Sequence, residues 1–267
     1  MTSLDARLGL VLVAATVACS SPSAPAAPTS APGAPHLSLW SYSGATGPAH
    51  WGDLDDSFAL CGRGAMQSPI DLPLLRESAR PFALPHWDPV PLTSILNTGH
   101  TVQVDDPAPS SLVLDGVTYS LLQFHFHVPA DHTIEGRTFD AELHLVHRSP
   151  DGQLLAVALF FDKGAENAVL RPLFDAIPAE AGGRRSVPEA TIDLGALLPR
   201  APRFLSYQGS LTAPPCTEGV RWLIAVPDPA PLEIAEADLI KLRAAVHAPT
   251  SRPQQPRNGR AVELRAP

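Results

Sequence analysis

Gln123-Phe124-His125-Phe126-His127 is answered by Glu142-Leu143-His144-Leu145-Val146-His147, and these two runs decide the fold. Both alternate polar with large apolar residues, the period-2 pattern of a half-buried β-strand. Residues i and i+2 of a strand share a face. Gln123, His125 and His127 therefore point one way, and Phe124 and Phe126 the other. Glu142, His144 and Val146 likewise share a face. If the strands pair, three imidazoles converge on one point, with an amide and a carboxylate behind them. Three His ligands and one open position are the arrangement of a catalytic zinc site. A lone buried His is more often a hydrogen-bonded core residue. Here six of ten His fall between His100 and His147, and a His-x-His run backed by two Phe favours the metal.

The chain begins with a stretch that does not read as part of a fold. Leu8 to Val17 is a short apolar run after Arg7, too short to span a bilayer and right for a signal-peptide core. Ala18-Cys19 follows it, so residues 1–19 read as a leader of lipoprotein type, with Cys19 lipidated. An ordinary cleaved signal, or an exported chain with an unpaired thiol, is the other reading. Residues 20–35 contain only Ala, Pro, Ser, Thr and Gly, the composition of a tether. Residues 36–267 are expected to form one domain. The expected location is outside the cytoplasm, in the periplasm or on the cell surface, with a possible lipid anchor to a membrane. Setting Cys19 aside leaves Cys61 and Cys216, an even count that suggests a disulfide in an exported chain; two buried thiols are the alternative. A net charge of −8 with no basic patch argues against nucleic acid. Nothing calls for a protein partner.

Short strands are expected at Ser94–Leu96, Thr101–Val104, Leu112–Leu114, Val117–Leu121, the two histidine runs and Leu154–Phe161. Ala165–Ile177 and Ile234–Val246 carry apolar residues at helical spacing, the second with acids early and bases late, as the helix dipole prefers. Strand follows strand without regular helices between. That predicts a mainly β, α+β domain: a largely antiparallel sheet with a few peripheral helices.

Six stretches, taken together, resemble the α-class carbonic anhydrases of bacterial, exported type. They are Gly47-Pro48-Ala49-His50-Trp51, Gln67-Ser68-Pro69-Ile70-Asp71, Asn97-Thr98-Gly99-His100, Gln123 to His127, Ala141 to His147, and Gly209-Ser210-Leu211-Thr212-Ala213-Pro214-Pro215-Cys216. The resemblance runs from Trp40 to about Arg260. It implies a single domain around a twisted, mostly antiparallel sheet of about ten strands. It implies Zn²⁺ as cofactor, and CO₂ and bicarbonate as small-molecule partners, with attack of zinc-bound hydroxide on CO₂ giving bicarbonate and a proton. His125, His127 and His144 match the zinc ligands, the three that the strand-face argument selects. Gln123 and Glu142 match the groups that hold ligand imidazoles in one tautomer. His100 matches the proton shuttle. Thr212 matches the hydroxyl that orients the hydroxide. Val146, Val157, Leu211, Ala213 and Trp222 fall on the substrate pocket. Cys61 and Cys216 match a bridge of secreted members.

Three positions depart from the family pattern. Asp131 stands where Glu usually accepts the Thr212 hydroxyl proton, and it is one methylene shorter. Ala213 replaces a frequent second Thr. Val128-Pro129 replaces an aromatic-small pair. A cupin-type barrel also uses His-x-His on a strand, but leaves Gly209 to Cys216 unexplained. A metallo-β-lactamase-like site wants Asp two residues after the second His, and Asp131 comes four after. A non-catalytic or weakly active family member acting as a binding protein is the remaining rival. Such proteins lose a ligand His, and none is missing here.

Overall fold

A computed structural model describes residues 39–75, 79–107 and 109–267. The expected leader, the lipidation site Cys19 and the tether lie outside the described residues.

The strands in chain order are β1 Asp71–Leu72, β2 Arg80–Pro81, β3 Val90–Asn97, β4 Val102–Asp105, β5 Ser111–Leu114, β6 Val117–His127 and β7 Thr133–Ile134. They continue with β8 Ala141–Arg148, β9 Leu154–Lys163, β10 Arg184–Ile192, β11 Phe204–Ser210, β12 Glu218–Ala225, β13 Leu232–Ile234 and β14 Glu263–Ala266. Among the described residues, twelve of these make one open sheet, in the order β10, β3, β4, β6, β8, β9, β12, β11, β14, β2, with β5 on β6 and β13 on β9. Pairing is antiparallel except where β9 meets β12 and β13, and where β14 meets β2. The open sheet removes the cupin-type barrel from the alternatives.

The centre of the sheet is where sequence and burial agree most closely. Leu154 to Phe161 is a continuous apolar run, and β9 is buried on both faces between β8 and β12. One core packs Phe124, Phe126, Leu143, Leu145, Val157 and Phe161. A second, on the other face, packs Ala156, Ala158, Phe160, Tyr207 and Trp222. Two stretches read separately in the sequence, Val117–Leu121 and the first histidine run, are one strand. A β-bulge between Leu121 and Gln123 joins them, so that Leu121 faces His147 and Gln123 faces Val146.

Helices are few: α1 Trp51–Leu54, α2 Leu60–Arg63, α3 Arg171–Phe174 and α4 Glu236–Val246. The last matches its expectation apart from Ile234, which ends β13, and Ala235, which caps the helix. The expected helix over Ala165–Ile177 shrinks to α3. Asn167 turns the chain by accepting the Leu170 and Arg171 N–H groups on its side-chain and main-chain oxygens. Pro172 cannot donate to a helix arriving from before it, but is tolerated in a first turn. The sequence also hid β10, an edge strand that carries Pro188, two register shifts and mostly exposed residues.

Candidate metal centre

The β6–β8 ladder sets His125 opposite His144 and His127 opposite Glu142. Ring nitrogens of His125, His127 and His144 all lie within 4.8 Å of one another. Each ring has one nitrogen engaged from behind. His125 donates from Nδ1 to Gln123 Oε1 at 2.9 Å. His127 donates from Nδ1 to the Thr250 carbonyl at 2.7 Å. His144 donates from Nε2 to Glu142 Oε1 at 2.8 Å. The remaining nitrogens, Nε2, Nε2 and Nδ1, are thereby left as lone pairs that face one another.

That arrangement tests the metal directly. Nε2 of His125 and Nε2 of His127 are 3.2 Å apart, yet neither has a proton to give the other. Lone pairs packed against each other out of water are unfavourable unless a cation lies between them. Nitrogens at 2.0–2.1 Å from a tetrahedral zinc stand about 3.3 Å apart, so the spacing fits that ion. Protonation does not relieve the crowding. Burial, and then the neighbouring rings, push the His125 pKa well below its usual value. Burial also lowers the His144 pKa, against the pull of Glu142. Neutral imidazoles are what a metal requires.

Glu142 is fully buried and takes three donors: Nε2 of His144, Nδ1 of His132 at 2.7 Å and the His132 main-chain N–H at 2.7 Å. Burial alone would raise its carboxyl, but His132 and His144 outweigh it and hold the pKa well below the usual range. His132 in turn accepts the Tyr207 hydroxyl at 2.6 Å, and Tyr207 meets Ser68 Oγ at 2.7 Å. His132 lies between the two histidine runs and belongs to none of the patterns read from the sequence. No spacing signal could have found it, because the chain after β6 folds back to bring it under Glu142.

His147 has the opposite parity to His144 and is a buried core histidine. It accepts the Trp87 indole N–H at 3.0 Å and donates to the Leu145 carbonyl at 2.9 Å. Burial lowers its pKa to about 3.

A cavity of about 380 Å³ opens over the triad. Val146, Leu211, Ala213 and Trp222 line it, and so does Thr212. Val157 does not, which corrects that expectation. The β8–β9 register sets Val146 against Ala156, so Ala156 and Leu154 face the cavity and Val157 enters the opposite core. His100 lines the cavity from the turn after β3, where Gly99 adopts φ +86° and Asn97 Oδ1 accepts its N–H. The His100 ring stacks on Trp40 with centroids 3.8 Å apart, and partial burial lowers its pKa.

Asp131 is fully buried. Its Oδ1 accepts the Arg252 main-chain N–H at 2.8 Å, while Oδ2 has no hydrogen-bond partner. The expected bond from the Thr212 hydroxyl is therefore not made: the side chain is short, and one oxygen is tied to Arg252. Cys61 and Cys216 are bridged, which joins α2 to the loop after Thr212 with Cα atoms 5.1 Å apart.

The eukaryotic-type carbonic anhydrase family profile matches residues 46–266. A carbonic anhydrase of Nostoc sp. is 38% identical over 228 residues, 84% of each chain. One of Pectobacterium atrosepticum is 37% identical, covering 84% of this chain and 89% of that one. Among solved structures, the α-carbonic anhydrase of Thermovibrio ammonificans in complex with sulfanilamide superposes with a TM-score of 0.77 at 37% identity. That match covers 84% of this chain and 97% of the other.

Proposed function

This chain belongs to the α-carbonic anhydrase family, and from that premise we propose that it hydrates carbon dioxide to bicarbonate and a proton at a zinc ion held by His125, His127 and His144. The observation that carries the reading is the set of three inward lone pairs, each fixed by a hydrogen bond on the far side of its ring. Zinc there supplies Lewis acidity, lowering the pKa of water to about 7, a value known for carbonic anhydrase itself.

The chain's own groups do the rest. Gln123, the Thr250 carbonyl and Glu142 keep the ligand rings in the binding tautomer. Val146, Ala156, Leu211 and Trp222 give apolar CO₂ a surface without competing hydrogen bonds. Thr212 borders the same space and orients the nucleophile through its hydroxyl; Ala213 leaves that side one hydroxyl poorer. His100 takes the released proton, since a ring lowered by partial burial is neutral at pH 7 and ready to accept.

In the same proposal, residues 1–19 are a leader that ends in a lipidated Cys19, residues 20–35 a tether, and residues 36–267 the catalytic domain. Export to the periplasm or cell surface is supported by the apolar run after Arg7 and by a disulfide that an oxidising compartment allows. Mass spectrometry of the mature N-terminus tests it: an unprocessed Met1 refutes it. The catalytic reading is tested by CO₂ hydration with purified protein before and after chelation. Turnover should vanish with the metal and return with zinc; turnover in the metal-free protein sinks the idea.

A further inference from the structure

The two carboxylate oxygens of Asp131 are not equivalent. Oδ1 is fixed by the Arg252 main-chain N–H. Oδ2 has no hydrogen-bond partner and stands 3.3 Å from Nδ1 of His127. That ring N–H already donates to the Thr250 carbonyl at 2.7 Å, so Asp131 adds negative charge beside the imidazole without a second full hydrogen bond. The Arg252 guanidinium sends its N–H groups to Gln67 Oε1 and to the Ser68 and Cys61 carbonyls, and none to Asp131.

We propose that Asp131 is a positioning residue for the metal ligand His127, strengthening its grip on the divalent cation, and not the acceptor of the Thr212 hydroxyl. The Thr250 carbonyl orients the ring, and a negative charge beside its protonated nitrogen raises the basicity of the nitrogen that faces the metal. Glu142 acts on His144 through a full hydrogen bond at 2.8 Å, whereas Asp131 acts on His127 by charge alone at 3.3 Å. Two buried carboxylates then act through two of the three ligand rings, and their formal charges balance a dication. With Asp at this position the free carboxylate oxygen rests against the ligand ring and makes no bond to Thr212.

The inference rests on the zinc reading above. Chelator competition on the purified full chain gives the zinc dissociation constant for wild type, Asp131→Asn, Asp131→Glu and Thr212→Val. Asp131→Asn, which removes the charge, is expected to raise it about tenfold or more. Asp131→Glu carries the carboxylate past Nδ1 and raises it by less; this variant keeps the test open if Asp131→Asn does not fold. Thr212→Val leaves it at the wild-type value. Asp131 variants that hold zinc as tightly as wild type overturn the proposal, as does Thr212→Val weakening zinc as much as Asp131→Asn. A wild type that binds no zinc at all sinks the zinc reading itself, which is a different result.

Discussion

His125 and His144 occupy directly paired positions on adjacent strands, yet they turn different ring nitrogens into the cavity. Gln123 holds His125 by Nδ1, and Glu142 holds His144 by Nε2. The partner behind each ring, not the ladder, decides which lone pair is offered. Replacing Gln123 by Leu frees His125 to carry its proton on Nε2, where it cannot ligate. The zinc dissociation constant is expected to rise about 10–100-fold, and Glu142→Gln to act in the same direction. Unchanged zinc retention in a chelator titration of Gln123→Leu refutes this.

His147 titrates in a different way from a surface histidine. Its folded pKa is about 3, against an unfolded value near 6.5. Between those values the unfolded chain binds a proton that the folded chain refuses. Stability is therefore fully present above about pH 6.5 and is lost as pH falls toward 3. His147→Phe should flatten that part of the acid limb in denaturant titrations of metal-free protein. Trp87→Phe, which leaves the buried Nε2 without its donor, should cost about 1–3 kcal/mol at neutral pH. An acid limb as steep in His147→Phe as in wild type counts against the assignment.

The bridge from Cys61 spans a sequence separation of 155. Loops of that length lie toward the upper end of disulfide stabilisation, so Cys216→Ser is expected to lose about 2–5 kcal/mol. Turnover should fall at temperatures below the melting transition, because Thr212 sits four residues from the bridge. A variant that melts earlier but retains full turnover shows the loop to be held by other means.

For His100, replacement by Ala should lower turnover about 10²-fold in dilute buffer, the lower end of a typical proton-transfer contribution. Concentrated imidazole should restore part of it. Because partial burial lowers the His100 pKa, the wild-type pH–rate midpoint assigned to it should lie below 6.5. No response to the Ala substitution means that the proton leaves by another route.

What the sequence made legible follows from its periodicities. His125, His127 and His144 could be chosen because parity on a strand fixes the face, and β6 and β8 keep that parity through the whole site. Val157 is assigned to the pocket by the family resemblance, but β9 is apolar on both faces, and the register against β8 gives that place to Ala156. The contacts of His132 and Thr250 were invisible because both act from chain segments that are far from their partners in sequence or fold back under them. The helix expected over Ala165–Ile177 failed at Pro172, where a local rule outweighs apolar spacing. The orphaned oxygen of Asp131 is a matter of distance in the folded chain, against which one methylene of reach has no meaning in sequence alone.

The Cys61–Cys216 link lies in the small aromatic cluster around Trp51, outside both faces of the main sheet. A newly made chain can thus complete its β ladder before the thiols join, the reaction loop being held meanwhile by hydrogen bonds such as Gln67 Nε2 to the Cys216 carbonyl. Activity would then report thiol oxidation as a late maturation step. Polypeptide kept under reducing conditions would be folded in outline but less active, so that CO₂ turnover rises as the bridge closes.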